Sequence, residues 1–430
     1  MKKHFDTYQL YRIGKHIKYS ARIRVTMKDE VDFAILRESI NKAAKRYPYF
    51  CKEIVVDEDG GYDLIQNDRP IAVIKTKDTL PLLGSEEVNR HLIYVDSEGK
   101  DINFNICHAL AGGRGFTPWV ETSIYQYVKD AYNVEVDAPN IRKVDSPLLP
   151  NEDCDITLDD FIKQEPLDLP RKYRGKALLF DYVNGLFNPF VRKPQYHIFT
   201  FEQKNILKYA KGNDSSVCSA FVVFMFKAMC RVLPASNKIV EAKVGHNPID
   251  NFGLENCHSD VLSHVHIVFK REMADLDNET LGTIARSQLY LQTEPRVSCN
   301  EVIRRIKAYE KLDDIHGYND KKKYAKKYCK NVMEDGSVSE SYIVNYTGQR
   351  DWGELTKYVE SYFFIVEGHV MIEITSLADK IFLSFMQLTR NNKYLNAFKQ
   401  VLTELQIPFE CKGPYKTNHV NIELPKPNKR

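Results

Sequence analysis

The sequence predicts an α/β protein in two halves, each mixing strands with helices. Three observations carry that expectation. Strand-like and helix-like segments follow one another before residue 137 and again after residue 194, with prolines and acidic residues clustered between them. The chain is also long enough for each half to bury its own core. We therefore expect a first half over residues 1–185, its tail from about 137 being the proline-rich connection, and a second half over 195–430.

In the first half, Ala21–Met27 alternates polar and apolar residues as a half-buried strand does. Phe33, Leu36, Ile40 and Ala43 then recur at helical spacing through Asp32–Tyr47. That helix should stop at Tyr47, because the residue before Pro48 resists the helical region. Short strands are expected at Cys51–Val56, Tyr62–Gln66 and Ile71–Ile74, then one running into His108. A helix over Thr117–Tyr132 follows, with Thr117 as N-cap and Pro118 at the first helical position. Prolines 139, 147, 150, 166, 170, 189 and 194 mark an irregular connection, with one strand at Ala177–Tyr182.

The second half restarts with a strand at Tyr196–Phe201 and helices at Glu202–Lys211 and Ser216–Leu233. Strands at Lys238–Gly245 and Val261–Phe269 precede helices near Glu279–Leu291 and Glu301–Leu312. Further strands are expected at Tyr342–Tyr346, Tyr362–Val366, Val370–Thr375 and Lys380–Met386, the last two as a hairpin through Ser376–Asp379. A helix at Tyr394–Leu405 comes near the end. No sequence repeat links the halves, although both follow the same strand–helix grammar.

A net charge of +3 gives no reason to invoke nucleic acid or an anionic membrane. Nine scattered cysteines without a CxxC pair suggest neither a zinc site nor a disulfide framework, and suit a reducing, cytoplasmic compartment. The N-terminal residues lack a signal peptide's apolar run, and Val217–Cys230 is too short to span a bilayer.

The stretch Asn103–Phe116 reads as a buried strand that ends on His108 and breaks into a glycine-rich turn. An imidazole at a strand end, beside backbone made permissive by glycine, is positioned to act as a base in a cleft. A satisfied structural histidine is the competing reading.

Three short stretches combine: Arg46-Tyr47-Pro48-Tyr49-Phe50, His108-Ala-Leu-Ala-Gly112-Gly113, and Val344-Asn345-Tyr346-Thr347-Gly348-Gln349. In this order the chain resembles the CoA-dependent acyltransferase superfamily, which includes chloramphenicol acetyltransferase, alcohol acetyltransferases and the condensation domains of nonribosomal peptide synthetases. Its patterns are Arg-His-Pro-x-Leu, His-x-x-x-Asp-Gly and Asn-Tyr-x-Gly-Gln. The resemblance implies two chloramphenicol-acetyltransferase-like lobes, mixed sheets with flanking helices, forming a V-shaped pseudo-dimer with a central tunnel. It implies His108 as general base for transfer of an acyl group from a CoA or acyl-carrier-protein thioester to a small alcohol or amine. No permanently bound cofactor, metal, nucleic acid or membrane span is implied, and acyl-CoA is the expected cosubstrate. Asn345, Tyr346 and Gly348 would line the tunnel from the facing lobe.

One departure matters: the family's motif aspartate is Gly112 here. In relatives that carboxylate pairs with an arginine to hold the loop. Gly112 cannot, and Arg114 is a candidate for a rearranged turn with Gly113. The alternative is therefore a catalytically inactive binding or assembly protein that kept the fold. Gly112 is either a missing tether or a residue at positive φ where only glycine is comfortable.

Other candidates are weaker. Cys107 adjoins His108, but adjacent strand residues point to opposite faces. His246-Asn-Pro-Ile-Asp250 lacks the arginine of the matching family segment and reads as a strand-end turn. His264 and His266 share one strand face without an evident third metal ligand. Lys321, Lys322, Lys326 and Lys327 read as a solvated helix face; contacts of Lys322 and Lys326 to CoA phosphates are the second reading and a nucleic-acid patch the third. Asp351-Trp352-Gly353 reads as a structural loop.

Overall fold

The structure is a computed structural model, and it describes residues 5–13, 19–162, 165–169, 192–235, 237–332, 340–366, 368–417 and 420–426. The strand expected at 177–182 lies outside the described residues. After a 3-10 segment at Phe5–Arg12, the first half runs β1 (Ser20–Met27), α1 (Phe33–Arg46), β2 (Lys52–Val56), β3 (Tyr62–Gln66), β4 (Val73–Lys75), β5 (Ile93–Glu98), β6 (Asp101–Cys107) and α2 (Gly113–Tyr132). A short α3 (Leu158–Phe161) lies in the proline-rich stretch.

Next come β7 (Arg192–Glu202), α4 (Gln203–Gly212), α5 (Val217–Val232), β8 (Ile239–His246), β9 (Ser263–Lys270), α6 (Asn278–Thr293), α7 (Pro295–Asp313) and α8 (Tyr318–Val332). The chain closes with β10 (Tyr342–Arg350), β11 (Val359–Ile365), β12 (Val370–Leu377), β13 (Lys380–Thr389), α9 (Lys393–Glu404) and β14 (Glu410–Lys416). Most elements begin and end close to where side-chain pattern and prolines put them. In α1, the Asp32 carboxylate accepts from the Ala34 and Ile35 amides at 2.9 and 3.0 Å, and the helix gives way at Tyr47 before Pro48.

The strands form two mixed sheets and a separate β2–β3 pair. The first sheet has the order β11-β1-β6-β5-β4, the second β14-β7-β13-β12-β10-β8-β9. Leaving β10, the chain abandons the second sheet, pairs antiparallel along β1 as β11, and returns as β12 beside and parallel to β10. The first sheet thus takes its edge strand from the second half of the chain.

Side chains alternate across each sheet. Ile102, Phe104 and Ile106 enter a core with Trp119, where the Phe104 and Trp119 ring centroids lie 5.2 Å apart. On the other face, Asp96 accepts from Arg22 Nη2 at 2.7 Å and from Asn105 Nδ2 at 2.7 Å. The second sheet repeats this scheme. Phe199, Val244, Ile372 and Leu383 pack with Phe221, Met225 and Phe398, while Lys243, His266, Asn345 and Glu373 occupy the opposite face. Among the described residues no single helix is long and apolar enough to cross a membrane; only the bent pair α4–α5 meets that length and composition jointly.

Candidate active site

Strand β6 carries the chain to His108 through a row of buried residues, ending on Cys107. The His108 amide donates to the Tyr19 carbonyl at 2.9 Å, extending the β1–β6 pairing by one step. Its imidazole stands edge-on to the Tyr19 ring, with centroids 6.2 Å apart. Nδ1 lies 3.2 Å from the Ala111 carbonyl oxygen. A carbonyl can only accept, so this contact is a hydrogen bond only when Nδ1 carries the proton, which leaves Nε2 with the lone pair in the neutral ring. Cys107 is fully buried and its sulfur accepts from the Ala109 amide at 3.4 Å.

Helix α2 begins at Gly113, not at Thr117-Pro118, and Pro118 lies inside it. Thr117 turns its hydroxyl back onto the Gly113 carbonyl at 2.9 Å instead of capping. Packing drives the earlier start. A β-carbon on Gly115 would overlap the His258 carbonyl, so only glycine lets this first turn approach the second half so closely. Gly115→Ala is expected to lose roughly 1–3 kcal/mol or more of stability, measurable by chemical denaturation. Unchanged stability would show that the two segments separate without cost.

Gly112 is the residue preceding α2, at φ −79° and ψ 172°. Positive φ is therefore not the reason for glycine here. A β-carbon at 112 would instead stand 2.8 Å from Asp260 Oδ1 and 3.4 Å from the Asp260 Cα. A carboxylate thus lies beside the motif after all, and it comes from the second half. Asp260 Oδ2 accepts from Gln9 Nε2 at 3.1 Å, and its main-chain carbonyl accepts from Arg305 Nη1 at 3.1 Å. Gly113 sits against the Phe364 ring of β11, 3.5 Å from a β-carbon placed there.

Arg114 does not rebuild the turn. It forks onto Asp250, with Nη1 2.8 Å from Oδ2 and Nη2 on Oδ1, and Nη2 also reaches the Glu255 carbonyl at 3.1 Å. That pair fastens α2 to the strand-end segment after His246. The Arg46 stretch is structural too. Arg46 holds both oxygens of buried Glu152 at 2.8 Å, and Tyr49 donates to Glu152 Oε1 at 2.7 Å. Tyr49 also stacks on His258, centroids 4.4 Å apart, while His258 Nδ1 bonds the Glu152 carbonyl at 2.8 Å.

In the second half, the Asn345 side chain bridges two strands. Its Oδ1 accepts from the Gly245 amide at 3.0 Å, which orients its Nδ2 to donate to Glu373 Oε1 at 2.7 Å. Tyr346 reaches Ser376 at 3.2 Å, and Gly348 takes φ +85° at a break in the β10–β12 register. Among the described residues, no hydrogen bond or ring contact joins His108 to Asn345, Tyr346 or Gly348.

Glu373 was not singled out in the sequence, although a lone carboxylate between Ile372 and Ile374 is a legible signal. Burial pushes its carboxyl up to about 7, against the opposing hydrogen bond from Asn345. Between the ordinary glutamate value and about 7, the folded state holds a proton that the unfolded chain releases. Stability should therefore fall as pH rises through that window, and Glu373→Gln should abolish the fall. The variant is expected to gain on the order of 2 kcal/mol over wild type at pH 8 and little at pH 4. Denaturant titrations at both pH values test this; an equal difference at each would refute it.

The paired histidines take separate carboxylates: His264 Nδ1 lies 2.8 Å from Glu301 and His266 Nδ1 2.6 Å from Glu241. Lys321 departs from the solvated-face expectation: it is buried, with Nζ donating to the Leu312 carbonyl at 3.0 Å. Lys322 and Lys326 are exposed on α8. That helix meets the β2–β3 turn, where the Gly317 amide donates to the Asp59 carbonyl at 3.1 Å. Trp352 is a structural anchor, donating to Glu121 at 2.8 Å.

No family model matches the sequence, and no curated protein matches it. Solved structures do. TRI101 from F. graminearum, complexed with ethyl coenzyme A, superposes with a TM-score of 0.60 at 11% identity, covering 96% of this chain and 100% of that one. Polyketide synthase associated protein 5 from Mycobacterium tuberculosis gives 0.58 at 12% identity, covering 94% and 96%. The condensation domain of the monacolin K polyketide synthase MokA gives 0.55 at 9% identity, covering 94% and 96%. Across nearly its whole length, the chain has a CoA-acyltransferase- and condensation-domain-like fold.

Proposed function

We propose that this protein transfers an acyl group from a CoA or carrier-protein thioester to a small alcohol or amine, with His108 as the general base. The observation that carries the reading is the tether from His108 Nδ1 to the Ala111 carbonyl, at the point where β6 meets the second half. It leaves Nε2 as the proton acceptor. As the acceptor's oxygen or nitrogen attacks the thioester carbonyl, Nε2 takes its proton. Collapse of the tetrahedral intermediate then expels the thiolate, which recovers that proton from the imidazolium. No covalent enzyme intermediate is required.

In this reading the halves form two lobes around a substrate channel, with His108 at their junction. Asn345, Tyr346 and Gly348 border the channel from the second lobe, and acyl-CoA is the cosubstrate, a reading supported by the ethyl coenzyme A held in the TRI101 structure. The competing reading, a binding or assembly protein without turnover, drew its support from Gly112. The Asp260 carboxylate beside Gly112 weakens that support.

The direct test incubates the protein with acetyl-CoA, longer acyl-CoAs and a loaded carrier protein against a panel of alcohols and amines. Thiol release that depends on the acceptor, with an acylated product by mass spectrometry, is expected. Absence of product with every donor, while CoA still binds, would favour the protein without turnover. Lys322→Gln with Lys326→Gln should raise KM for acyl-CoA severalfold at unchanged turnover, and the melting temperature should hold because both side chains are exposed. An unchanged KM removes these lysines from the donor site.

A further inference from the structure

We infer that Asp260 is the positioning residue of the His108 turn, supplying from the second half the carboxylate that residue 112 does not carry. The inference rests on the reading of His108 as base, but most of its test does not. Asp260 Oδ1 stands 2.8 Å from the β-carbon position of residue 112, so a carboxylate lies against the place where the motif aspartate would start. Glycine at 112 and aspartate at 260 are therefore complementary: a side chain at 112 would collide with the carboxylate it is expected to replace.

The carboxylate is itself held. Gln9, buried in the Phe5–Arg12 segment, donates to Oδ2 at 3.1 Å. Arg305, on α7, grips the loop by the main-chain carbonyl of Asp260 at 3.1 Å and by that of Leu262. A carboxylate and an arginine thus both brace the turn, but from α7 and the loop before β9 rather than from within the turn.

What they brace matters for His108. The carbonyl that accepts from Nδ1 belongs to Ala111, in the peptide joined directly to Gly112. Letting Gly112 move into space vacated by Asp260 would rotate that carbonyl and release the ring. Asp260 acts through the peptide, touching neither substrate nor the reacting nitrogen.

The test uses three single variants and one exchange. Imidazole nitrogen spectra of the full chain should show His108 as a single tautomer with the proton on Nδ1. Asp260→Ala should give a mixture of tautomers, and Asp260→Asn, which keeps the shape, an intermediate mixture. Gly112→Asp alone should lower the melting temperature sharply. Gly112→Asp with Asp260→Gly should recover much of that loss and restore the single tautomer. If turnover is measurable, Asp260→Ala should lower it on the order of 10- to 100-fold with KM for the donor little changed. An unchanged His108 tautomer in Asp260→Ala, or no recovery in the exchange variant, overturns the inference. Failure to find any acyl transfer bears instead on the proposed function, since the spectra and melting curves need no substrate.

Discussion

His108→Ala is expected to cut acyl-transfer turnover by roughly 10²–10⁴-fold, the range for loss of a positioned general base. The fold should tolerate the change. The side chain is half-buried, its polar contact among the described residues is the one to the Ala111 carbonyl, and the amide hydrogen bond to Tyr19 survives in alanine. Melting temperature should therefore change little, and a CoA thioester should bind as before. Turnover retained within a factor of a few would sink His108 as the base. Collapse of the fold would show instead that the ring serves structure, which was the competing reading of a histidine at a strand end.

The second large effect is on stability, at Glu152. Its side chain is fully buried with Arg46, and it also receives Tyr49, Arg142 at 3.2 Å and the Leu149 amide at 2.7 Å. Burial alone would raise its carboxyl, but the hydrogen bonds from Arg46, Leu149 and Tyr49 outweigh that and hold it below the ordinary glutamate value. Glu152→Ala strands a buried guanidinium and is expected to cost about 3–5 kcal/mol. Glu152→Gln keeps part of the hydrogen bonding and should cost less. The sign with pH follows from the depressed carboxyl. Its contribution is present above the ordinary glutamate value and is lost as pH falls through the lower folded one. Denaturation of the three proteins from neutral to acidic pH should show wild type converging on Glu152→Gln; parallel curves would refute the assignment.

Much of the architecture could be read from local chemistry. Asp32 and Pro48 bracket α1, alternation marks β1, and Ser376–Asp379 turns β12 into β13, because each signal lies within a few residues of its effect. The start of α2 could not be read that way. Thr117-Pro118 is the better local cap, yet tertiary contact with His258 winds the helix back to Gly113. Lys321 misled for a similar reason, since its neighbours in sequence are solvated while its own amine is spent on the Leu312 carbonyl. At the site, the His108 stretch was visible as a motif. Asp260 was not: no spacing rule connects residue 112 with a loop so distant in the chain.

The strand lent by the second half to the first sheet has a consequence for how the chain can be made. Until β11 has been synthesised, β1 presents an open row of amides and carbonyls along Arg22–Thr26, the pattern that invites pairing with a stranger. An N-terminal fragment ending in the proline-rich connection should therefore be insoluble or self-associated on its own, however complete its helices. Most of the polypeptide must leave the ribosome before that edge closes. A nascent chain of this protein has a long interval in which a chaperone, or another copy, competes for the place of residues 359–365.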